Sequence, residues 1–345
     1  EGARLMLAAL AELGVPHWAV TAGRPPPPGV PLVVHANAAV LPLTMLRLGR
    51  SLLRGRRIIG VWPWELPVVP EAWRAGFEFV HEVWAPSEFS AAAVRRAMPE
   101  GFDPAAVRVV PHCVACQPPM PAAFDRAALG LPDSAVVTLV AFSLASSFVR
   151  KNPLGAIAAH RAAFGNRPDR VLLIRVGETE HFPNDYAALR DAVHQATNVV
   201  IDPATRTRAE AHAIMAACDI VLSLHRSEGF GLVPAEAMLM GKPVVATAWS
   251  GTEDFLDDAW SCRVPCTLVP AHDPRGVFEA RGAEWAEPDL PAAAAALVRL
   301  ADDPAARRRL GEAARAAAPD RLGPAKLAEA LRGLGLGVPP AGQPG

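Results

Sequence analysis

The sequence predicts two α/β domains in tandem, each a doubly wound parallel sheet, with a cleft between them. Three observations predict it. Apolar strand candidates alternate with helical segments along most of the chain. A proline-rich break at Gln117–Pro121 interrupts the alternation, which then restarts. The length of 345 residues suits two domains at about 100–200 residues each.

The elements follow in order. Residues 3–13 read as a helix with Leu5, Leu7, Leu10 and Leu13 as its buried positions. Strand candidates come next at 17–20, 32–35, 57–61, 82–86 and 107–111, with helices at 38–49, 70–79 and 87–98 between them. Such βα repetition implies a parallel sheet covered on both faces. After the break, strands are expected at 135–142, 171–176, 198–201, 220–223 and 243–247. Helices are expected at 152–164, 184–195, 207–217, 231–241 and 289–317. The first domain is placed at 1–118, the second at 119–320, and a C-terminal helix with a flexible tail at 321–345, where 333–345 is rich in Gly and Pro. A doubly wound domain ordinarily opens with a strand and a tight turn. This chain opens with a helix at Glu1-Gly2-Ala3-Arg4, so the expectation is that upstream sequence is missing and turnover of this chain impaired.

Composition narrows the function. Lys+Arg is 34 and Asp+Glu 35, so no basic excess advertises a nucleic-acid surface. Lysine stands only at Lys151, Lys242 and Lys326; the other basic residues are arginine. The most apolar run, 134–148, is shorter than the ~20 residues a membrane span needs. Without targeting signals a cytoplasmic location is expected, with the inner membrane face open for a lipid-linked acceptor. The five cysteines, Cys113, Cys116, Cys218, Cys262 and Cys266, suit a reduced protein; their spacing lacks a zinc-ribbon pattern, and no metal is expected.

The chemistry concentrates between Ser223 and Pro243. A strand ends at Ser223, a loop carries Glu228, Gly229 and Gly231, and a helix follows with Pro234 in its first turn and Glu236 beyond. The glycines let a ligand approach the backbone, and the helix N-terminus offers free N–H groups to a phosphate or sugar oxygen. Carboxylates spaced like Glu228 and Glu236 can grip two parts of one elongated ligand through hydroxyls; capping and solvation are the plain alternative. Upstream, Arg150 and Lys151 open a helix, the unfavourable end for cations, which suggests a bound anion such as a diphosphate.

The Glu228-to-Glu236 stretch resembles the E-x7-E signature of retaining glycosyltransferases with the GT-B fold, most like a bacterial subgroup of family 4. The similarity extends to Trp62-Pro63-Trp64-Glu65, Glu82 to Phe89, Arg150 to Pro153, Ser223 to Arg226, Trp249 to Phe255 and Trp285 to Asp289, and covers residues 2–318. It implies two Rossmann-like domains and transfer of a sugar from a nucleotide-diphosphate donor to an acceptor hydroxyl with retention, in polysaccharide or surface-glycan synthesis. By that resemblance Arg150 and Lys151 neutralise the departing diphosphate. Glu228, with backbone N–H groups from Phe230, Gly231 and Leu232, holds the donor sugar, and Glu236 the ribose. Neither glutamate is a nucleophile; the leaving phosphate takes the acceptor's proton. No Asp-x-Asp is present, so no metal or other cofactor is implied.

The sequence departs from the family at the first-domain strand end where a histidine often touches the sugar. Trp62-Pro63-Trp64-Glu65 stands there, and Glu65 is the candidate polar contact, with His35 and Asn37 at another strand end facing the cleft. Arg226 is open to pairing with Glu228 or a phosphate, and Ser250-Gly251-Thr252 to contacting phosphate or base. Arg307 to Arg309 read as a solvated helix face. The partners expected are a nucleotide sugar and a glycan or lipid-linked acceptor, without nucleic acid. An epimerase-like sugar-nucleotide enzyme and a non-catalytic nucleotide-sugar-binding module are the competing readings.

Overall fold

The computed structural model describes residues 1–20, 26–278 and 280–338. Two parallel sheets, each covered by helices on both faces, stand side by side.

The first contains β1 (Leu32–Val34), β2 (Ile58–Val61), β3 (Glu82–Ala85) and β4 (Val107–Val109), paired in that order and all parallel. Side chains alternate between faces with the strand period of two. Leu32, Val34, Ile58, Val83 and Ala85 join one cluster. It is closed by α2 (Leu41–Leu48), the short α3 (Arg50–Leu53) that follows, the 3-10 turns Glu71–Phe79 and α4 (Glu88–Arg96). Ile59, Val61 and Trp84 face the opposite way, onto α1 (Gly2–Glu12). In α1, Leu5 and Ala9 are buried whereas Leu7, Leu10 and Leu13 are only partly so. The segment His17–Val20 forms no strand. It follows Pro16, pairs with no neighbouring strand, and leaves Trp18 and Val20 exposed.

The second sheet has β5 (Val136–Ser143), β6 (Arg170–Gly177), β7 (Val199–Asp202), β8 (Ile220–Ser223), β9 (Val244–Thr247) and β10 (Cys262–Val264), in the order β10-β9-β8-β5-β6-β7. The chain runs outward from β5, returns, and continues from β8 on the other side. The switch point thus lies between β5 and β8, where a crevice opens at the carboxyl ends of the strands. One face packs on α6 (Pro153–Phe164), α7 (Pro183–Val193) and α10 (Leu290–Asp302), the other on α8 (Arg208–Ala217), α9 (Leu232–Leu239) and α11 (Pro304–Leu322). A one-turn helix, α5 (Phe148–Lys151), precedes α6.

Further features differ from the sequence expectation. The helix expected at 289–317 is two, because Asp303 adopts an extended conformation and its carboxylate caps α11 through Ala306 N at 2.8 Å. Arg307 is not merely solvated, since it donates to Leu300 O at 2.6 Å at the end of α10. An antiparallel hairpin of β11 (Cys266–Pro270) and β12 (Glu284–Pro288) carries an excursion that packs Phe278, Ala283 and Trp285 against the first domain's cluster. The last helix, α12 (Ala325–Gly333), returns to the first sheet and buries Leu327, Ala330 and Leu331 beside Ile59 and Trp84. In the stretch expected to be flexible, Leu334, Leu336 and Val338 pack on that same cluster; residues 339–345 lie outside the described residues.

Candidate functional site

The site gathers at the switch point. β5 ends in a tight turn in which Ser147, at φ 69°, caps α5 by accepting from Arg150 N at 3.3 Å. Arg150 and Lys151 therefore close a one-turn helix rather than open one, which is the favourable end for cations. Asn152, at φ 52°, then starts α6, and its Nδ2 donates to Leu224 O at 3.0 Å, tying the turn to the end of β8. They also stand immediately before Asn152, the N-cap of the longer α6, so the pair faces that helix N-terminus as well. A second argument for an anion comes from what the two cations face.

Both face Glu228. Lys151 Nζ donates to Glu228 Oε1, and Arg150 Nη1 lies 3.3 Å from Oε2. Arg150 is 2% exposed, donates to Ser227 O at 2.6 Å and Ser146 O at 2.7 Å, and stands 4.7 Å over the Phe278 ring. Burial works to raise the Glu228 carboxyl, but Lys151, Arg150 and His225 outweigh it and hold it down to about 2. Burial lowers Lys151 against the opposing pull of Glu228. Arg150 Nε remains buried without a partner, as does Arg175 Nε nearby. A buried guanidinium nitrogen left unbonded is a donor in wait of an acceptor.

The loop holding Glu228 is fixed from both domains. Glu228 N donates to Ser250 Oγ at 2.8 Å, and Gly251 N donates to Glu228 O at 2.9 Å. From the first domain, Ser87 Oγ donates to Gly229 O at 2.6 Å and Ser90 Oγ to Trp64 O at 2.6 Å. Ser227 Oγ donates back to Glu65 O. Glu88 N, in the first turn of α4, donates to the Asp254 carboxylate at 2.7 Å. There is no room for side chains: a Cβ on Gly251 would lie 2.5 Å from Gly229 O, and one on Gly229 3.0 Å from Trp64 O. Gly231, at φ 100°, turns the chain into α9 without a side-chain cap, so the first N–H groups of the helix open on the cleft.

That cleft has a volume of about 500 Å³. Glu228, Arg150, Lys151 and residues 229–233 line it from the second domain, Pro63, Glu65 and His112 from the first. The structure therefore brings Glu65 to the cations and to Glu228, as expected. Burial raises the Glu65 carboxyl, Arg150 opposes, and the Glu228 charge raises it further. Two glutamates in one cleft are thus pushed in opposite directions.

Other expected positions fall elsewhere. Glu236 Oε1 is held by His212 Nε2 at 3.2 Å and Arg208 Nη2 at 3.3 Å, both on α8. His35 lies on the wall of a separate apolar cavity between α1 and β1, and Asn37 caps the start of the 3-10 turn Ala38–Val40 without a side-chain bond. Arg226 pairs with Glu287 at 2.8 Å, not with Glu228. Ser250 and Thr252 are buried; Ser250 Oγ accepts from Glu228 N, and Thr252 Oγ1 donates to Trp249 O at 3.2 Å. Cys113 and Cys218 pack in the cores, and Cys262 accepts from Arg299. Sequence reasoning missed His112, whose ring meets Phe230 edge-on at 5.1 Å and which burial, with His35 nearby, lowers to about 4. It also missed Ser87 and Ser90. The N-cap spacing Ser87–Ser90 was visible, but not that both hydroxyls reach across the cleft.

The family 4 glycosyltransferase in conflict systems model matches residues 92–331. The chain belongs to that family. A curated relative, the D-inositol 3-phosphate glycosyltransferase of Kineococcus radiotolerans, is 34% identical over 230 residues, 61% of this chain and 47% of that protein. The chain thus spans about half the length of this curated relative. Among solved structures, Anabaena HepE in complex with UDP and glucose superposes with TM-score 0.62 at 18% identity, over 87% of this chain and 78% of that one. WaaG, a glycosyltransferase involved in lipopolysaccharide biosynthesis, gives 0.60 at 14% identity over 96% and 95%. These neighbours establish a GT-B fold of two Rossmann-like domains. In the family 4 chain described here, no helix among the described residues is long and apolar enough to cross a membrane.

Proposed function

We propose that this chain transfers a sugar from a nucleotide-diphosphate donor to an acceptor hydroxyl with retention and without a metal ion. The observation that carries the reading is the convergence of Lys151 and Arg150 on the Glu228 carboxylate at the switch point of the second sheet. The carboxylate stands where an anion satisfies both cations. A diphosphate brings more charge and more acceptor oxygens, and it takes the cations over. Glu228, released from Lys151, then accepts from donor-sugar hydroxyls, with the open N–H groups at the start of α9 beside it.

As the bond to the anomeric carbon breaks, negative charge accumulates on the diphosphate, where Arg150 and Lys151 already stand. The acceptor hydroxyl attacks from the same face, and the leaving phosphate oxygen takes its proton. Glu228 and Glu236 act in binding, and Glu236, which pairs with Arg208 and His212 beyond the cleft lining, is the proposed ribose contact. Glu65, whose carboxyl keeps its proton to higher pH than an exposed glutamate, offers a hydrogen bond to sugar or acceptor from the first domain. His112, neutral at pH 7, lies beside it on the cleft wall. The acceptor is proposed to be a glycan or a lipid-linked glycan, met in the cytoplasm or at the inner membrane face.

A thermal-shift panel of UDP, GDP, dTDP and ADP sugars tests the donor class. Stabilisation by at least one, lost in Lys151→Ala, is expected; stabilisation by none would remove the reading.

A further inference from the structure

A groove of about 500 Å³ lies at the seam of the two domains and shares no lining residue with the donor cleft. Three arginines from three separate elements line it: Arg74 from the Glu71–Phe79 turns, Arg96 from the last turn of α4, and Arg281 from the excursion between β11 and β12. Arg96 donates to Pro67 O at 3.0 Å. Arg74 and Arg281 have neither ion pair nor hydrogen bond among the described residues. Elsewhere many arginines are matched to acids, as Arg57 is to Glu82 and Arg126 to Asp219. Among the described residues Glu71 is the one carboxylate lining the groove, and it pairs with none of the three. The remaining walls are apolar, from Val68 and Val69 to Ala93 and Ala280.

The negative end of α4 accounts for Arg96. It does not account for Arg74 and Arg281, which bring like charge into the same groove from other elements. Three guanidinium groups lining one groove offer an anion several donors at once, and their planar forks match phosphate oxygens. A net charge of -1 makes this a local feature, not part of a generally basic surface.

Its position indicates what enters. One short loop serves both sites, with Pro63 and Glu65 on the cleft and Val68 to Pro70 on the groove. Three residues of chain reach at most about 11 Å, so the walls of the two sites approach within that distance along this loop. The groove is also coupled to the cations: Trp64 Nε1 donates to Val68 O at 2.8 Å, Trp64 stacks on Phe278 at 5.7 Å, and Phe278 supports Arg150 at 4.7 Å.

We infer that this groove is an anion subsite that holds a phosphate carried by the acceptor, apart from the donor diphosphate. This rests on the sugar-transfer reading of the cleft. The test is calorimetric titration of glucose 6-phosphate, inorganic phosphate and uridine diphosphate into the wild type, the double variant Arg74→Ser/Arg281→Ser, and Lys151→Ala. Glucose 6-phosphate should bind more tightly than inorganic phosphate, weaken about tenfold or more in the double variant, and be unchanged by Lys151→Ala. Both groove arginines are exposed, so the double variant should melt like the wild type. Equal glucose 6-phosphate affinity in wild type and double variant would overturn the subsite. So would loss confined to Lys151→Ala, which would assign that binding to the donor cleft. Inorganic phosphate binding as tightly as glucose 6-phosphate would overturn the acceptor assignment. If uridine diphosphate ignores Lys151→Ala while glucose 6-phosphate still depends on the arginines, the groove stands and the donor reading falls.

Discussion

The hydroxyl of Ser87 donates to the carbonyl oxygen of Gly229 at 2.6 Å, joining the start of α4 in the first domain to the carboxylate loop of the second. Both Ser87 and Ser90 are fully buried, and Ser87 also caps α4 by accepting from Ser90 N at 3.1 Å. The loop that presents Glu228 is therefore positioned by the domain that does not carry it.

Ser87→Ala removes the cap and leaves Gly229 O without its closest donor. An expected cost of about 1–3 kcal/mol follows from an unmet buried acceptor and a lost cap. Denaturant unfolding should show that loss, and steady-state kinetics should show kcat falling while nucleotide affinity holds. A variant as stable and active as wild type would remove the role of the latch.

Glu228 and the diphosphate compete for the same cations. Glu228→Gln should therefore bind nucleoside diphosphate at least as tightly as wild type while turnover falls, about a hundredfold or more for a contact made to the reacting sugar. Lys151→Ala should weaken the same binding about tenfold or more. Calorimetry on both variants decides it; weaker binding in Glu228→Gln would contradict the exchange of partners.

The Glu228 carboxyl is depressed from 4.5 to about 2 in the fold. A depressed acid stabilises fully above its unfolded value and loses that contribution as pH falls through the folded value. The stability gap between wild type and Glu228→Gln should thus be constant above pH about 5, and shrink between about 4.5 and 2. Melting curves across that range measure it. A gap that widens on acidification would mean the carboxylate is not the paired group.

Gly251→Ala would place a Cβ 2.5 Å from Gly229 O, a backbone atom pinned by Ser87. The loop must shift, so activity should drop more than stability. A circular-dichroism melt beside an activity assay separates the two, and unchanged activity would show that the loop position is not critical.

Transfer should survive EDTA, because the charge on the leaving group is met by Arg150 and Lys151. Activity abolished by chelation and restored by a divalent ion would refute the metal-free proposal.

Much of this was legible in the sequence because it is local. Continuous apolar runs and helical spacing placed most strands of both sheets within a residue or two. The spacing of Glu228, Gly229, Gly231 and Glu236 marked a strand-loop-helix turn by itself. The hairpin β11–β12 was not legible, because its pairing spans the intervening excursion and its strands are short and half exposed. Nor was the direction of the α5 dipole, which depends on Ser147 and Asn152 adopting positive φ.

Sequence alone determined the α/β class, the break between two sheets and the residues worth testing. Tertiary structure decided which of them meet. Lys151 reaches Glu228 across 77 positions and Ser87 reaches Gly229 across 142, distances over which no periodicity carries information. The physical reason is that a buried charge or hydroxyl must find a partner wherever packing brings one. Here the order of β5 beside β8, with the first domain closed upon them, brings those partners together.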